Sequence, residues 1–187
     1  MKLRIAGIQK DSIVDGPGVR LSVYFQGCSH CCPGCHNPET HDPESGYEIT
    51  VTELTDIIDS CRFLDGITLS GGEPFEQVPA AAVLAREVTS RSLNLVLYSG
   101  YTFEQLLAAS DSDPDTHFLL NSAYLLVDGP YIHAEQDYNL AYRGSRNQRL
   151  IDLPRSLRAG QAVIWEQADR QLCRTPSEGL LSKLIQT

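Results

Sequence analysis

The sequence alternates short apolar segments with segments whose apolar residues recur at helical spacing. The pattern predicts extended strands at residues 3–9, 19–26, 66–70, 93–98, 124–127 and 148–153, and helices at 50–64, 78–88 and 102–107. Strands that alternate with helices in this way are typical of a parallel sheet, because each helix connects two parallel strands. The sequence therefore predicts an α/β fold.

The length of the chain limits the form that this α/β fold can take. A complete eight-fold barrel usually needs about 250 residues, whereas the chain has 187. We predict one domain over residues 1–187, built as an incomplete, open TIM-like barrel of about five or six β/α units. A doubly wound sheet is the alternative. The pattern is clear over residues 3–153, and the tail at 154–187 is expected to be a surface extension.

Polar and glycine-rich loops follow several of the predicted strands. A cysteine-rich loop follows the second strand, Gly71-Gly72-Glu73-Pro74 follows the third, and Asp128 follows the fifth. In barrels and in doubly wound sheets, ligands bind at the carboxyl ends of the strands. We therefore expect these loops to meet at one rim of the fold and to form a binding site there.

Four cysteines lie within eight residues, at positions 28, 31, 32 and 35. Thiols this dense indicate a metal or redox site rather than a disulfide framework in a cytosolic chain. Cys28, Cys32 and Cys35 form a Cys-x3-Cys-x2-Cys pattern, which can hold three irons of a [4Fe-4S] cluster. An electron-transfer cluster normally has four cysteine ligands, so three leave one iron open. S-adenosyl-L-methionine can bind an open iron through its amino and carboxylate groups.

Cys31 allows a second interpretation, because it completes a Cys-x2-Cys-Cys-x2-Cys pattern typical of a four-thiolate zinc site. Zinc-binding pairs are usually separated by an intervening loop of roughly 12 to 20 residues, whereas these pairs abut. We therefore predict that Cys31 is a spare thiol in the loop. Cys61 is predicted to be a buried structural thiol on a helix, and Cys173 has no assigned role.

The residues around these motifs resemble a known family. Residues 15–20 (Asp-Gly-Pro-Gly-Val-Arg) and 28–40 resemble the amino-terminal signature of glycyl-radical-enzyme activases in the radical S-adenosylmethionine superfamily. Residues 70–74 match the glycine-rich strand end of that superfamily. Residues 126–129 and 142–149 resemble the branch that activates the anaerobic ribonucleoside-triphosphate reductase. The resemblance extends over roughly residues 5–153.

The resemblance implies a set of contacts to S-adenosylmethionine. Ser70, Gly71, Gly72 and Glu73 are implied to contact its amino group, since glycine permits close backbone approach and a carboxylate accepts from an ammonium group. Asp128 is a candidate acceptor for a ribose hydroxyl or an amine, although a helix-capping aspartate is an equal alternative.

Three further candidates lie downstream, where Arg143, Ser145 and Asn147 are expected to hold the carboxylate or the ribose; a charged surface turn is the alternative. Much of the superfamily has an aromatic residue just before the third cysteine, near the adenine, and here that position is Gly34. His36 is a candidate to support the adenine in its place, and an ordinary loop histidine is an equal alternative.

The reaction implied by the resemblance is an oxidoreductase reaction. A reduced cluster cleaves S-adenosylmethionine to methionine and a 5′-deoxyadenosyl radical, which installs a glycyl radical on a partner enzyme. The expected partners are the anaerobic ribonucleoside-triphosphate reductase and a low-potential electron donor such as flavodoxin or ferredoxin. Two alternatives remain, namely a radical enzyme acting on a small molecule such as a modified purine, and an iron–sulfur or zinc module without catalysis.

Charge and hydropathy argue against two other classes of partner. The net charge is −9, from 24 acidic and 15 basic residues, and no cluster of Lys and Arg suggests nucleic-acid binding. No apolar run approaches the roughly 20 residues that a membrane-spanning helix needs. The first residues become polar too early for a signal peptide, so we expect a cytoplasmic protein.

Overall fold

The computed structural model describes residues 1–166 of the chain. Within them, seven strands form one mixed sheet: β1 Lys2–Ser12, β2 Arg20–Phe25, β3 Tyr47–Thr50, β4 Gly66–Gly71, β5 Asn94–Tyr98, β6 Leu125–Asp128 and β7 Arg149–Asp152. The same residues form five α-helices: α1 Val51–Ser60, α2 Val78–Ser90, α3 Phe103–Ser110, α4 Pro114–Ser122 and α5 Leu153–Ala159. None of these helices is long and apolar enough to cross a membrane.

The sheet has the order β3-β1-β2-β4-β5-β6-β7. Its central strands β2, β4, β5 and β6 are parallel, whereas β1 and β7 run antiparallel to their neighbours. In the described part of the chain, β3 and β7 are the two edges and do not pair with each other, so the sheet is open. The predicted α/β class and the open, incomplete barrel are confirmed.

Two helices begin at capping boxes that are visible in the sequence. At α1, the Thr50 hydroxyl accepts from the Glu53 N–H, and the Glu53 carboxylate accepts from the Thr50 N–H. Thr102 and Gln105 make the same pair of bonds at α3. Each box satisfies two N–H groups that would otherwise have no partner, which explains why both helices begin where the pattern predicts.

Three elements, β3, α4 and α5, are absent from the sequence-based prediction. Asp113 caps α4 by accepting from the N–H groups of Asp115 and Thr116, and Pro114 occupies the first turn. This is a common local start signal, but few apolar residues recur at helical spacing after it. β3 contains only four residues, which are too few to show a clear alternation.

Apolar residues pack on both faces of the sheet. Leu95 and Leu97 of β5 belong to the main core with residues of α1 to α4, whereas Val96 belongs to a smaller cluster with Leu125 and Val127. Successive side chains of a strand point to opposite faces, so the two clusters lie on opposite sides of the sheet. Within residues 1–166 the helices therefore cover one face, and the smaller cluster lies on the other.

The tail predicted as a surface extension begins within the fold. Ser156 of α5 is fully buried, and Ile164 forms a β-bridge with Ile151 of β7. The rest of the tail from residue 167, including Cys173, lies outside the described residues. Cys61 caps the C-terminus of α1 and is half-buried against the main core, close to its predicted position on a helix.

Arg20 is a fully buried cation at the start of β2. Its Nε donates to the Thr68 hydroxyl at 2.6 Å, and its Nη2 donates to the Ile67 carbonyl at 2.6 Å. Its Nη1 donates to the Asn94 side-chain oxygen at 2.7 Å and to the Pro17 carbonyl at 3.0 Å. These bonds connect the turn before β2 with β4 and β5, so one side chain joins three strands beneath the site.

Replacing Arg20 by Met is expected to lower the free energy of unfolding by at least about 2 kcal/mol, because it leaves several buried acceptors without a donor. The urea midpoint of the purified protein measures this change. Arg62→Met is the control, since Arg62 is exposed. Equal midpoints for the two variants would contradict the assignment of Arg20 as a structural cation.

Candidate cofactor site

A cavity of about 840 Å³ opens at the carboxyl ends of β2, β4, β5 and β6. It therefore lies at the rim where the loops were expected to meet. Eight predicted site residues line it: Cys28, Cys32, Cys35, His36, Ser70, Gly71, Gly72 and Arg143. The other five do not line it: Gly34, Glu73, Asp128, Ser145 and Asn147.

The cysteine loop is held at its base by backbone hydrogen bonds. Gly27 follows β2 with a φ of +92°, and its N–H donates to the Thr40 carbonyl at 2.8 Å. The Cys28 N–H donates to the His41 carbonyl at 3.2 Å. The Gln26 side chain donates to two further carbonyls of residues 39 and 42. The strand end and the segment at 39–42 thus fix where the loop begins and ends.

Cys28, Cys32 and Cys35 are free, half-buried thiols on the cavity wall. Burial raises the pKa of Cys28 to about 11 and also raises the pKa of Cys35. Only a deprotonated thiol binds metal, so iron binding at this loop would release protons. Three soft thiol donors on one wall fit an iron–sulfur cluster that is ligated by three cysteines.

Cys31 differs from the other three cysteines of the loop in its exposure. It is exposed, does not line the cavity, and has a φ of +44°. Within residues 1–166, no three His, Cys, Asp or Glu side chains surround a point where a single metal ion could bind. A zinc site needs its ligands around one ion, so the geometry does not support the zinc alternative. In a four-iron cluster each thiolate binds a different iron, so the cluster does not require three ligands around one ion.

The two glycines after β4 permit a close approach between segments of this chain. A Cβ on Gly71, whose φ is +89°, would lie 2.6 Å from the Tyr24 Cα, and a Cβ on Gly72 would collide with the Gly27 carbonyl oxygen. The resemblance implies that these glycines permit close approach by a ligand. The structure shows a second reason for glycine at both positions, because the end of β4 packs directly on the end of β2 and the start of the cysteine loop.

Glu73 is buried behind the cavity wall, with 0% of its surface exposed. Its oxygens accept from the N–H groups of Phe75 at 3.0 Å and Gly100 at 2.8 Å, and from the Ser99 hydroxyl at 3.0 Å. The His30 Nε2 lies 3.2 Å from its Oε2, and this carboxylate raises the pKa of His30. Glu73 thus joins three loops, and its contact with an ammonium group stays a prediction.

Asp128 is also engaged within the protein. Its Oδ2 accepts from the Phe103 N–H at 2.7 Å, and its two oxygens accept from Arg149 at 3.0 and 2.5 Å. The residue is only 1% exposed. These contacts favour a structural role at the start of α3 over a contact with a ribose hydroxyl, which the sequence left as an equal alternative.

The three downstream candidates separate into one cavity residue and two supporting residues. Arg143 lines the cavity, donates from Nη1 to the Gln148 carbonyl, and has a buried Nε for which residues 1–166 supply no partner. The Ser145 hydroxyl accepts from the Ile132 N–H at 3.2 Å, and the Asn147 amide donates to the Pro130 carbonyl at 2.7 Å. Ser145 and Asn147 therefore hold the segment that follows β6.

Asp15 and Tyr24 line the cavity but are absent from the predicted site. The Asp15 Oδ2 accepts from the hydroxyls of Ser12 at 2.6 Å, Ser22 at 2.8 Å and Tyr24 at 3.0 Å. Burial and the neighbouring Asp15 carboxylate raise the pKa of Tyr24 to about 12. The sequence does contain a signal for this group, since Ser22 and Tyr24 alternate with apolar residues along β2 and so share one face of the sheet.

Comparison with known proteins bears on the chemistry of this cavity. Residues 14–151 match the family model described as a 4Fe-4S single cluster domain. The anaerobic ribonucleoside-triphosphate reductase-activating protein of Escherichia coli K12 is 34% identical over 144 residues, which cover 73% of this chain and 90% of that protein. The chain belongs to the 4Fe-4S single-cluster family. Its match to an activating protein confirms the resemblance seen in the signature motifs.

Two other relatives extend this result. The anaerobic ribonucleoside-triphosphate reductase-activating protein of Haemophilus influenzae is 27% identical over 146 residues, which cover 73% of this chain and 89% of that protein. The pyruvate formate-lyase-activating enzyme of Staphylococcus aureus USA300 is 27% identical over 175 residues, which cover 88% of this chain and 67% of that enzyme. Membership of the 4Fe-4S family and activating proteins as relatives confirm the predicted class of activating enzyme with an iron–sulfur cluster.

Replacing Cys28, Cys32 or Cys35 by Ala is expected to abolish a stable four-iron cluster, because a thiolate ligand is lost each time. The matched control is Cys31→Ala, which should keep the cluster because Cys31 lies outside the cavity. Iron and sulfide content after anaerobic reconstitution measures the outcome. Loss of iron in the Cys31 variant alone, or stoichiometric zinc in the purified protein, would contradict this assignment.

Proposed function

We propose that this chain uses a [4Fe-4S] cluster, held by Cys28, Cys32 and Cys35, and S-adenosylmethionine to install a glycyl radical on a partner enzyme. The proposed partner is an anaerobic ribonucleoside-triphosphate reductase. The observation that carries the proposal is the convergence of three cysteines and the glycine-rich end of β4 on one cavity, in a chain related to activating proteins of that reductase.

The cavity suits a zwitterionic amino acid bound next to a cluster. Arg143 is the one Lys or Arg side chain of residues 1–166 that lines it, and the buried Nε of Arg143 is a donor for which these residues offer no acceptor. A guanidinium group pairs well with a carboxylate. We therefore assign the carboxylate of S-adenosylmethionine to Arg143, with Ser145 and Asn147 supporting that segment from behind.

The cofactors would supply the chemistry: a cluster held by Cys28, Cys32 and Cys35 would provide the one electron needed to cleave S-adenosylmethionine to methionine and a 5′-deoxyadenosyl radical. The chain binds and orients S-adenosylmethionine and limits access of water to it. The sheet formed by residues 1–166 is open, which suits a substrate that is a loop of another protein. Small-molecule sites usually bury most of their ligand, so the geometry gives less support to the modified-purine alternative.

Three further features complete the proposal. A low-potential donor such as flavodoxin or ferredoxin would reduce the cluster, because the part of the cavity wall that residues 1–166 form carries one set of cluster cysteines. The chain would act as one domain over residues 1–187. The free thiols within residues 1–166 suit the reducing environment of the cytoplasm.

Arg143→Met is expected to weaken S-adenosylmethionine binding by about 2 kcal/mol, or roughly 30-fold, because a charge-assisted hydrogen bond is lost. Arg146→Met is the matched control, since Arg146 is exposed and pairs with Asp137 outside the cavity. Equilibrium dialysis with the reconstituted protein measures both dissociation constants. Equal affinities in the two variants would remove Arg143 from the site.

The function is tested by supplying the reduced protein with S-adenosylmethionine and the co-occurring anaerobic reductase without oxygen. We expect 5′-deoxyadenosine in solution and a stable glycyl radical on the reductase, because the flanking amide and carbonyl groups delocalise the unpaired electron. Electron paramagnetic resonance detects the radical, and Cys32→Ala should give none. If 5′-deoxyadenosine formed but no radical reached the reductase, this partner would be abandoned in favour of a small-molecule substrate.

A further inference from the structure

A ring immediately before the third cysteine cannot support the adenine in this chain, because that position is Gly34. A Cβ on Gly34, whose φ is +75°, would lie 3.0 Å from Nδ1 and 3.1 Å from Cγ of His133. The imidazole of His133, from the segment after β6, therefore occupies the space next to Gly34. A larger side chain at position 34 would displace this imidazole.

The segment that supplies His133 also supplies a ring to the cavity itself. Tyr131 and His36 both line the cavity, and their ring centroids lie 4.8 Å apart at an angle of 48°. The Tyr131 hydroxyl lies 3.3 Å from the His133 Nδ1. The ring of His36, from the cysteine loop, and the ring of Tyr131, from the segment after β6, thus lie next to each other on the cavity wall near Cys35.

These rings are held in position from behind. A Cβ on Gly144 would lie 2.8 Å from the His36 Cε1 and 3.2 Å from two ring carbons of Tyr131, so the backbone of Gly144 packs against both. The bond from the Ile132 N–H to the buried Ser145 hydroxyl fixes the backbone next to Tyr131. Packing on Gly144 and the hydrogen bond of the neighbouring residue Ile132 therefore both fix the position of the Tyr131 ring.

We propose that Tyr131, with His36 beside it, forms the aromatic surface against which the adenine of S-adenosylmethionine packs. This inference rests on the proposed function and adds the residue that binds the base. Tyr24 is a weaker candidate, because it lies on β2 and its hydroxyl donates to Asp15, whereas Tyr131 is paired with His36 of the cysteine loop. Packing of a base on an aromatic ring depends on the ring rather than on its hydroxyl group.

Tyr131→Leu is expected to weaken S-adenosylmethionine binding about tenfold, because an aliphatic side chain fills space but offers no ring. Tyr131→Phe keeps the ring and should bind with nearly the wild-type affinity. The matched control is Tyr138→Leu, since Tyr138 belongs to the same segment, is 87% exposed and does not line the cavity. Anaerobic equilibrium dialysis measures the dissociation constants, and iron content and circular dichroism verify the cluster and the fold.

The outcomes separate this inference from the proposed function. Unchanged affinity in Tyr131→Leu, or an equal loss in Tyr131→Leu and Tyr131→Phe, would overturn the role of the ring while the proposed function stands. A wild-type protein that holds its cluster but does not bind S-adenosylmethionine would overturn both. A selective loss in Tyr131→Leu with iron content unchanged would support the inference.

Discussion

The site depends on two backbone hydrogen bonds that continue the pairing of β2 and β4 beyond the end of β2. The Gly72 N–H donates to the Phe25 carbonyl, and the Glu73 N–H donates to the Gly27 carbonyl, both at 2.8 Å. Since a side chain at position 72 would collide with the Gly27 carbonyl oxygen, only glycine allows this approach. The cysteine loop and the glycine-rich strand end are therefore one backbone unit, although β3 and α1 separate them in the sequence.

Local signals predicted the fold well, and partners distant in sequence limited the prediction of the site. The capping boxes at Thr50 and Thr102 are complete within four residues, so the starts of α1 and α3 follow from the sequence. The partners of Glu73 come from the cysteine loop and from the end of β5. A strand pattern shows that such loops share a rim, but it does not show which carboxylate faces the ligand and which faces the protein.

The signature at residues 15–20 gains two distinct physical roles from the structure. Asp15 lies on the cavity wall and orders three hydroxyl groups along β1 and β2. Arg20 is fully buried on the same face of β2 as Ser22 and Tyr24, and it joins β2 to β4 and β5. Residues 15–20 thus stabilise the sheet below the cavity and also form part of the polar wall of the cavity. The signature motif is therefore needed for the stability of the fold as well as for the binding site.

The closed base of the cysteine loop has a consequence for how a cluster would be acquired. The bonds from Gly27 to Thr40 and from Cys28 to His41 join the ends of the loop within the folded protein. Closing a flexible loop costs conformational entropy, and here that cost is met during folding. The three thiols consequently have a high effective concentration relative to one another. The three cysteine ligands are therefore preorganised for binding a cluster, and little further ordering of the loop is needed when the cluster binds.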